Sequence, residues 1–417
     1  MGFMKLAKLA WSNLWRQRRR TAITVASIAF TCFLAVIMLG LNDGSWGPVI
    51  DTAARIGGGH VTLQHPDYRD KPALSRTVAA TAPLLERLRS IPHVSHVLPR
   101  IAGQTMLSTT SDSLGAGFVA YDPAQESTDT LQILEAVSQG SLFKTANDPG
   151  IILGWRLARN LGAELGTKVV YTLTDKQGEI VSGMARVSGL VKTGSPAIDL
   201  GLCFLPIGAV RRTLGYAPDE AVQIAVFVDN YRRSDEIGRR VKSMIDDQTA
   251  VLTWKENAPE LETMIILKRG GATFFSAFIL VLAIAGIFNT LFVSVMERLR
   301  EFGILLAIGF DGGRLFALVM LESLWLALVG LVAGVAVLAI PYYYLYTVGL
   351  DLTNVYASGQ QKADIAGVAM SMVIKLDLHY TSAVTIAAAV VFATLLAGLY
   401  PAWKAGRVEP VDSIKLV

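Results

Sequence analysis

Charge is scarce in this 417-residue chain: Asp, Glu, Lys and Arg together make 17% of it, against 52% hydrophobic residues and a mean hydropathy of +0.44. Ordinary soluble domains carry about 25% charged residues, so the composition excludes a soluble protein of this length and assigns the chain to a membrane. Cysteine is scarcer still. Cys32 sits in an apolar run and Cys203 in the large polar region, which excludes a disulfide framework or a cysteine zinc site and leaves a free, packed thiol at Cys32. Ala29-Phe30-Thr31 ahead of Cys32 lacks the small-residue pattern of a lipid-attachment signal. The five histidines, His60, His65, His93, His96 and His379, show no metal-ligand spacing and read as surface or turn residues. There is no serine nucleophile elbow, no zinc-protease helix and no P-loop. The chain therefore offers no catalytic and no metal residues, and it does not hydrolyse ATP in the P-loop manner. Gly57-Gly58-Gly59 is followed by neither a helix start nor Lys-Ser/Thr, and reads as a hinge instead of a phosphate cradle.

The net charge of +4 is uneven: Lys5, Lys8, Arg16, Arg18, Arg19 and Arg20 stand together with no acid among them, whereas 43–269 holds twenty-four Lys/Arg against twenty-five Asp/Glu. That pattern is a topology signal and not a nucleic-acid footprint. Residues 21–42 are free of charge, and at about 1.5 Å per residue they reach roughly 33 Å, enough for a ~30 Å hydrocarbon core. A cleaved signal peptide would have an apolar region of ~7–15 residues ending in a small-x-small site; this run is longer and leads into Asn42-Asp43-Gly44, so an uncleaved anchor is expected. Three further spans are expected at 270–296, at 315–346 with Glu322 as its only charge, and at 380–403.

Four spans put both termini on one side, and the positive-inside rule makes it the cytoplasmic side; Lys404, Arg407 and Lys415 agree. Residues 1–20 form an amphipathic elbow, with Phe3, Leu6, Leu9, Ala10 and Leu14 on one face and Lys5, Lys8 and Asn13 off it. It lies in the headgroup layer or packs on a cytosolic partner. Residues 43–269 form an extracytoplasmic domain. Stretches such as HVTLQ, HVSHVLPRI, KVVYTL, ARVSGLV and AVQIAVFV read as strands, and TAPLLERLRSI and SDEIGRRVKSMI as helices, so the domain is α+β. An outer loop, 347–379, and a cytoplasmic tail, 404–417, complete the chain.

The loop 297–314 is strongly patterned. Glu297, Arg298, Arg300 and Glu301 precede an apolar run, Ile304–Ile308, framed by Gly303 and Gly309. Such a segment either snorkels at the membrane surface or is a coupling helix pressed into a groove of an ATPase. Gly330 and Gly334 have the small-xxx-small spacing that lets helices approach closely. Glu322, about seven residues and roughly 10 Å into its span, either pairs with an arginine of the loop or N-terminus or snorkels to the interface. Pro401, after Gly398, is expected to bend or end the last helix and turn Trp403 and Lys404 into the interface.

Several stretches, in order, resemble the FtsX-like and MacB-like permeases of type VII ABC systems: LAWSNLWRQRRRTAITVASIA, NTLFVSVMERLREFGILLAIG (289–309), LESLWLALVGLVAG (321–334) and GLYPAWKAGRVEPVDSIK (398–415). ILGWRLARNLGAELGTKVVYTL is most similar to the lipoprotein-releasing (Lol) permeases. The resemblance implies four transmembrane helices plus an α+β extracytoplasmic domain of two parts, a porter-like part (51–119 with 205–254) and an inserted sabre-like part (120–204). It implies a permease that is no enzyme, sits in the bacterial inner membrane as a homo- or heterodimer, and binds a cytoplasmic ABC ATPase dimer beneath 297–314. ATP and Mg belong to that separate partner, and this chain carries no cofactor. Ala357-Ser358-Gly359-Gln360-Gln361 has only a superficial likeness to an ABC signature, since no Walker motif accompanies it. By the same resemblance the output is mechanotransmission: a lipoprotein is extracted from membrane lipid and passed to a periplasmic lipoprotein chaperone. Family relatives leave two alternatives, export of small molecules or peptides with a periplasmic adaptor, and regulation of a cell-wall hydrolase.

Overall fold

The computed structural model describes residues 3–246, 248–351, 364–365, 368–369 and 373–407. The chain divides into two compact units, one of Met1–Ser45, Ile266–Asp351 and Val373–Val417, the other of Trp46–Ile265 and Leu352–Met372. The signature-like residues 357–361 and the tail from 408 onward, including Lys415, lie outside the described residues.

Among the described residues four helices are long and apolar enough to cross a membrane: Arg18–Ile56, Pro259–Glu297, Gly312–Thr347 and Tyr380–Gly406. The first two have 39 residues each, about 58 Å of helix against a ~30 Å hydrocarbon core. The first helix does not stop at Asn42-Asp43-Gly44. Its extension carries Trp46, Val49 and Ile50, which pack with Trp254 and Leu261 in the second unit, and burial of that stripe outweighs the helix-breaking tendency of Gly44, Gly47 and Pro48. At the N-terminus the helix Phe3–Arg16 is separate, and the basic cluster Arg18–Arg20 already belongs to the first long helix. The last helix also differs from expectation: it runs through Pro401 to Gly406. Ala397, Pro401, Ala402 and Ala405 are buried along it, so packing holds the turn that proline would otherwise open.

Within the membrane unit the third and fourth long helices pack along one another. A Cβ on Gly398 would lie 2.4 Å from Ser323 Oγ. Gly330 and Gly334 face the first helix: a Cβ there would meet Ile28 Cγ2 at 2.4 Å and Cys32 Cβ at 3.0 Å respectively. Close approach of this kind is how helices associate where lipid removes the hydrophobic incentive.

The second unit is α+β around a ten-stranded sheet. Its strands run, edge to edge, Ala250–Thr253, Val61–Gln64, Gln223–Val228, Val94–Ser108, Ser113–Tyr121, Leu202–Pro206, Gly150–Gly154, Ile180–Val191 and Val137–Gly140, with Lys168–Thr174 pairing both Val94–Ser108 and Ile180–Val191. One core lies under the helices Ala82–Arg89 and Ser234–Lys242 and contains Val61, Leu63, Val97, Ile224 and Val226. A second contains Ile101, Leu107, Phe118, Leu153, Tyr171 and Leu205.

The 15-residue strand Val94–Ser108 serves both cores. The division between them therefore falls near Arg100 on one side and Val222 on the other, and not at the expected 119/120 and 204/205. The reason is pairing: Ser113–Tyr121 forms a hairpin with Ile101–Ser108 and runs parallel to Leu202–Pro206. Both partners of that strand thus belong to the second core.

Arg100, fully buried, stands at the junction. Its Nε donates to Glu126 Oε1 at 2.7 Å, and Nη2 donates to Glu126 Oε2 at 2.9 Å and to the Thr130 carbonyl at 2.7 Å. Nη1 donates to the Gly57 carbonyl, just past the end of the first long helix. The glycine triplet is a turn, in which Gly59 takes φ +82° and a Cβ would sit 2.7 Å from the Val226 carbonyl oxygen.

His60 is not a surface histidine. That turn carries it inside, 5% exposed, where Nδ1 accepts from the Val228 N–H at 3.3 Å and Nε2 lies 2.9 Å from Asp51 Oδ1. Since Nδ1 accepts, the proton is assigned to Nε2, donated to Asp51.

Candidate coupling site

The segment between the second and third long helices contains a helix of its own, Leu299–Ala307. It ends because Gly309 adopts φ +96°, letting Gly309 N–H reach the Leu306 carbonyl at 3.0 Å and Phe310 N–H the Leu305 carbonyl at 2.9 Å. This is the Schellman arrangement, in which only glycine fits without strain. Phe302 and Gly303 are buried on the inner face, Phe302 with Leu6, Ala10, Leu315 and Ala402.

One charged joint holds this helix. Arg298 Nη1 donates to Glu322 Oε2 at 3.1 Å and Oε1 at 3.3 Å, Asn13 Nδ2 donates to Glu322 Oε1 at 2.7 Å, and the guanidinium lies 5.1 Å over the Phe302 ring. The Arg298 and Glu322 side chains are 13% and 14% exposed. The remaining pairs are on the surface: Arg16 with Glu301 at 3.5 Å, Arg298 with Glu301 at 3.4 Å, and Arg20 with Glu297. Exposed pairs of this kind contribute about 0–1 kcal/mol, whereas breaking a buried one costs several.

Of the residues singled out from the sequence, the structure thus brings together Glu297, Arg298, Glu301, Gly303 and Glu322. Gly330 and Gly334 stand apart, on the packing seam with the first helix. Arg300, Glu301, Ile304, Ala307, Ile308 and Gly309 face outward. Ile304 and Ile308, four apart on one face, are 49% and 75% exposed.

Three contributors escaped the sequence reading. The sequence places Asn13 only off the apolar face of its helix; a lone amide in an apolar segment is the available signal. Arg20 reads in the sequence as a topology charge only. Trp325 Nε1 donates to the Ala7 carbonyl at 3.3 Å and its ring lies 5.0 Å from Trp11, tying the N-terminal helix to the third long helix.

A second feature of this unit is a cavity of about 450 Å³ between the first, second and fourth long helices. Ala35, Leu39, Leu280, Ile386 and Val390 give it apolar walls, and Asp43 and Arg269 also line it. Asp43 Oδ2 accepts from Ser382 Oγ at 2.8 Å. In the other unit Cys203 is fully buried, and that burial pushes its thiol pKa up, so it stays protonated and inert.

Two family models match the chain: the MacB-like periplasmic core domain over residues 21–244 and the FtsX-like permease C-terminal over residues 273–410. It is 25% identical to the macrolide export ATP-binding/permease protein MacB of Nitrosomonas europaea, over 80% of this chain and 51% of that protein. It is 24% identical to the pyoverdine export ATP-binding/permease protein PvdT of Pseudomonas entomophila, over 97% of this chain and 58% of the other. With the lipoprotein-releasing system transmembrane protein LolC of Haemophilus influenzae it shares 20% identity over 79% of each. The chain therefore spans little more than half the length of the two export proteins.

Proposed function

From the premise that this chain belongs to the FtsX-like and MacB-like permeases of type VII ABC transport systems, we propose that it is the membrane subunit of a lipoprotein-extracting machine driven by a separate ATPase. The observation that carries the proposal is the loop helix Leu299–Ala307. It is fastened from within by Arg298, Glu322 and Asn13 and presents two isoleucines and two charges outward, as a docking helix must if it is to pass a push from a partner to the spans without slipping. In this reading the helix lies on the cytoplasmic side of the inner membrane, beneath it sits an ATPase dimer that holds ATP and Mg, and a second permease copy or homologue completes the complex. The second long helix is the least buried of the four, which leaves surface for that second permease and for lipid.

The lipoprotein assignment draws support from the similarity to LolC along 79% of both chains and from the apolar cavity, whose polar rim suits an amphipathic anchor. An ATP-driven motor is required because each buried acyl CH₂ stabilises the membrane-bound state by about 0.8 kcal/mol. The long helices would carry movement to the extracytoplasmic domain, where a periplasmic chaperone accepts the cargo.

The test is purification of the tagged full-length protein from native membranes in mild detergent, beside Ile304→Asp and Ile308→Asp. Recovery of an ABC ATPase that is lost in both variants, together with acylated lipoproteins, is the expected result. A second reading, export of a small molecule or peptide through a periplasmic adaptor, is favoured by the likeness to MacB and PvdT, and recovery of an adaptor without lipoproteins would select it. Recovery of a cell-wall hydrolase would select FtsX-like regulation. No ATPase in any preparation would defeat the docking role.

A further inference from the structure

The cavity between the first, second and fourth long helices follows the length of the bundle. On the first helix it is lined by Thr31, Ala35, Leu39 and Asp43, one residue per turn, and from Thr31 to Asp43 is about 18 Å of helix. Leu280, Ile386 and Val390 complete an aliphatic wall. The hydroxyls along it are spent inside their own helices: Thr31 donates to the Ser27 carbonyl at 2.9 Å, Thr273 to Arg269 at 2.9 Å, Ser276 to Ala272 at 2.8 Å and Thr385 to Thr381 at 2.7 Å. The groove therefore offers hydrocarbon contact and little hydrogen bonding along its length. It is open at the side, and in a bilayer an open apolar groove meets lipid.

Its charges are at one end. Asp43 and Arg269 both line the cavity, at the end where Ser382 Oγ donates to Asp43 Oδ2 at 2.8 Å. Opposite in sign, they nevertheless form no ion pair with each other, and among the described residues neither the Arg269 guanidinium nor Asp43 Oδ1 has a protein partner. The same end of the bundle carries exposed tyrosines, Tyr343 and Tyr346 on the third long helix and Tyr380 on the fourth, and aromatic side chains of this kind settle at the level of the lipid headgroups. Backbone bonds fix that level: Leu376 N–H donates to the Leu345 carbonyl and Asp377 N–H to the Gly40 carbonyl, both at 3.1 Å. Gly40, three residues before Asp43, thus stands level with the tyrosine-rich end of the third helix. The mouth of the cavity opens among headgroups and its depth among acyl chains.

We propose that this cavity is a phospholipid site selective for phosphatidylethanolamine, with the phosphate at Arg269, the primary ammonium at Asp43 and one acyl chain in the groove. An acyl chain gains little by leaving bilayer hydrocarbon for an aliphatic wall, so selection falls to the headgroup. The guanidinium presents a fork of N–H donors to phosphate oxygens, and Asp43 Oδ1 accepts an N–H that the ammonium donates. A choline headgroup has no N–H to give. A glycerol headgroup leaves the lipid with a net negative charge beside Asp43. The proposal rests on the membrane placement of these helices and on neither the ATPase nor the cargo; a lipoprotein anchor using the same cavity would enter by displacing the lipid.

The experiment is native mass spectrometry of the full-length protein released from nanodiscs holding equal amounts of phosphatidylethanolamine, phosphatidylcholine and phosphatidylglycerol with matched acyl chains. Retained lipid is expected to be enriched in phosphatidylethanolamine by roughly tenfold over each of the others, as one charge-assisted hydrogen bond confers. Asp43→Asn is expected to bring phosphatidylethanolamine down to the level of phosphatidylcholine while lipid stays bound, and Arg269→Gln to lower retention of all three. Arg269 is exposed, so its replacement keeps the fold and decides the matter if Asp43→Asn melts early. Equal retention of the three lipids, which would mean annular lipid only, enrichment of phosphatidylglycerol, or an unchanged preference in the variants would overturn the proposal. Lipoprotein recovery is read separately by the purification above, so either result can fail without the other.

Discussion

Among the described residues there are two buried Arg–Glu pairs, one in each unit, and they are built differently. Arg100 and Glu126 are 0% and 1% exposed, meet side-on through two hydrogen bonds from Nε and Nη2, and two further guanidinium donors go to backbone carbonyls of two separate segments. Arg298 and Glu322 retain 13% and 14% exposure, meet through one nitrogen, and share their charges with Asn13 and the half-exposed Glu301. The first pair is a lock, with four of the five guanidinium N–H groups committed. The second is a joint, able to exchange partners at its edge, and it stands where the proposed function requires force to pass.

Substitution sharpens the contrast. Arg100→Met should destabilise the protein most, by about 3–5 kcal/mol, because Glu126 is left charged in a closed interior; thermal unfolding in detergent reads this, and a loss under about 1 kcal/mol would remove the distinction. Arg298→Met should cost less, about 2 kcal/mol, since Asn13 and water at the edge relieve Glu322. Its larger effect should be on recovery of the ATPase, which Arg100→Met in a still-folded fraction should leave intact. Replacing both members, Arg100→Met with Glu126→Met, should bring stability back to within about 1–2 kcal/mol of the parent, because no lone charge remains. Smallest of all, Glu301→Gln should shift stability by less than about 1 kcal/mol, as its ion pairs are exposed; a larger shift would mean that the joint extends to the surface.

How much of this was legible beforehand follows from the range of each interaction. The four spans were readable because a membrane crossing is a local property of about twenty residues, and the loop was readable because charge, apolar run and framing glycines fall within eighteen positions. The helix extensions beyond 42 and before 270 were not, since Trp46 and Ile50 owe their burial to Trp254 and Leu261, some two hundred residues away. Nothing local marks Arg100 as the partner of Glu126. His60 looked like a turn residue because it follows three glycines, and it is the sharpness of that turn that sends it inward.

The joint also bears on how the membrane's electrical state acts on the protein. A lone carboxylate carried across the whole membrane field would exchange about 2.3 kcal/mol with it for every 100 mV. Glu322 is matched by Arg298 at 3.1 Å, so as a neutral body the pair would exchange almost no work with the field. If this end of the bundle moves as the proposed function requires, the pairing would insulate that motion from voltage, and Arg298→Met would be expected to give it a dependence on membrane potential.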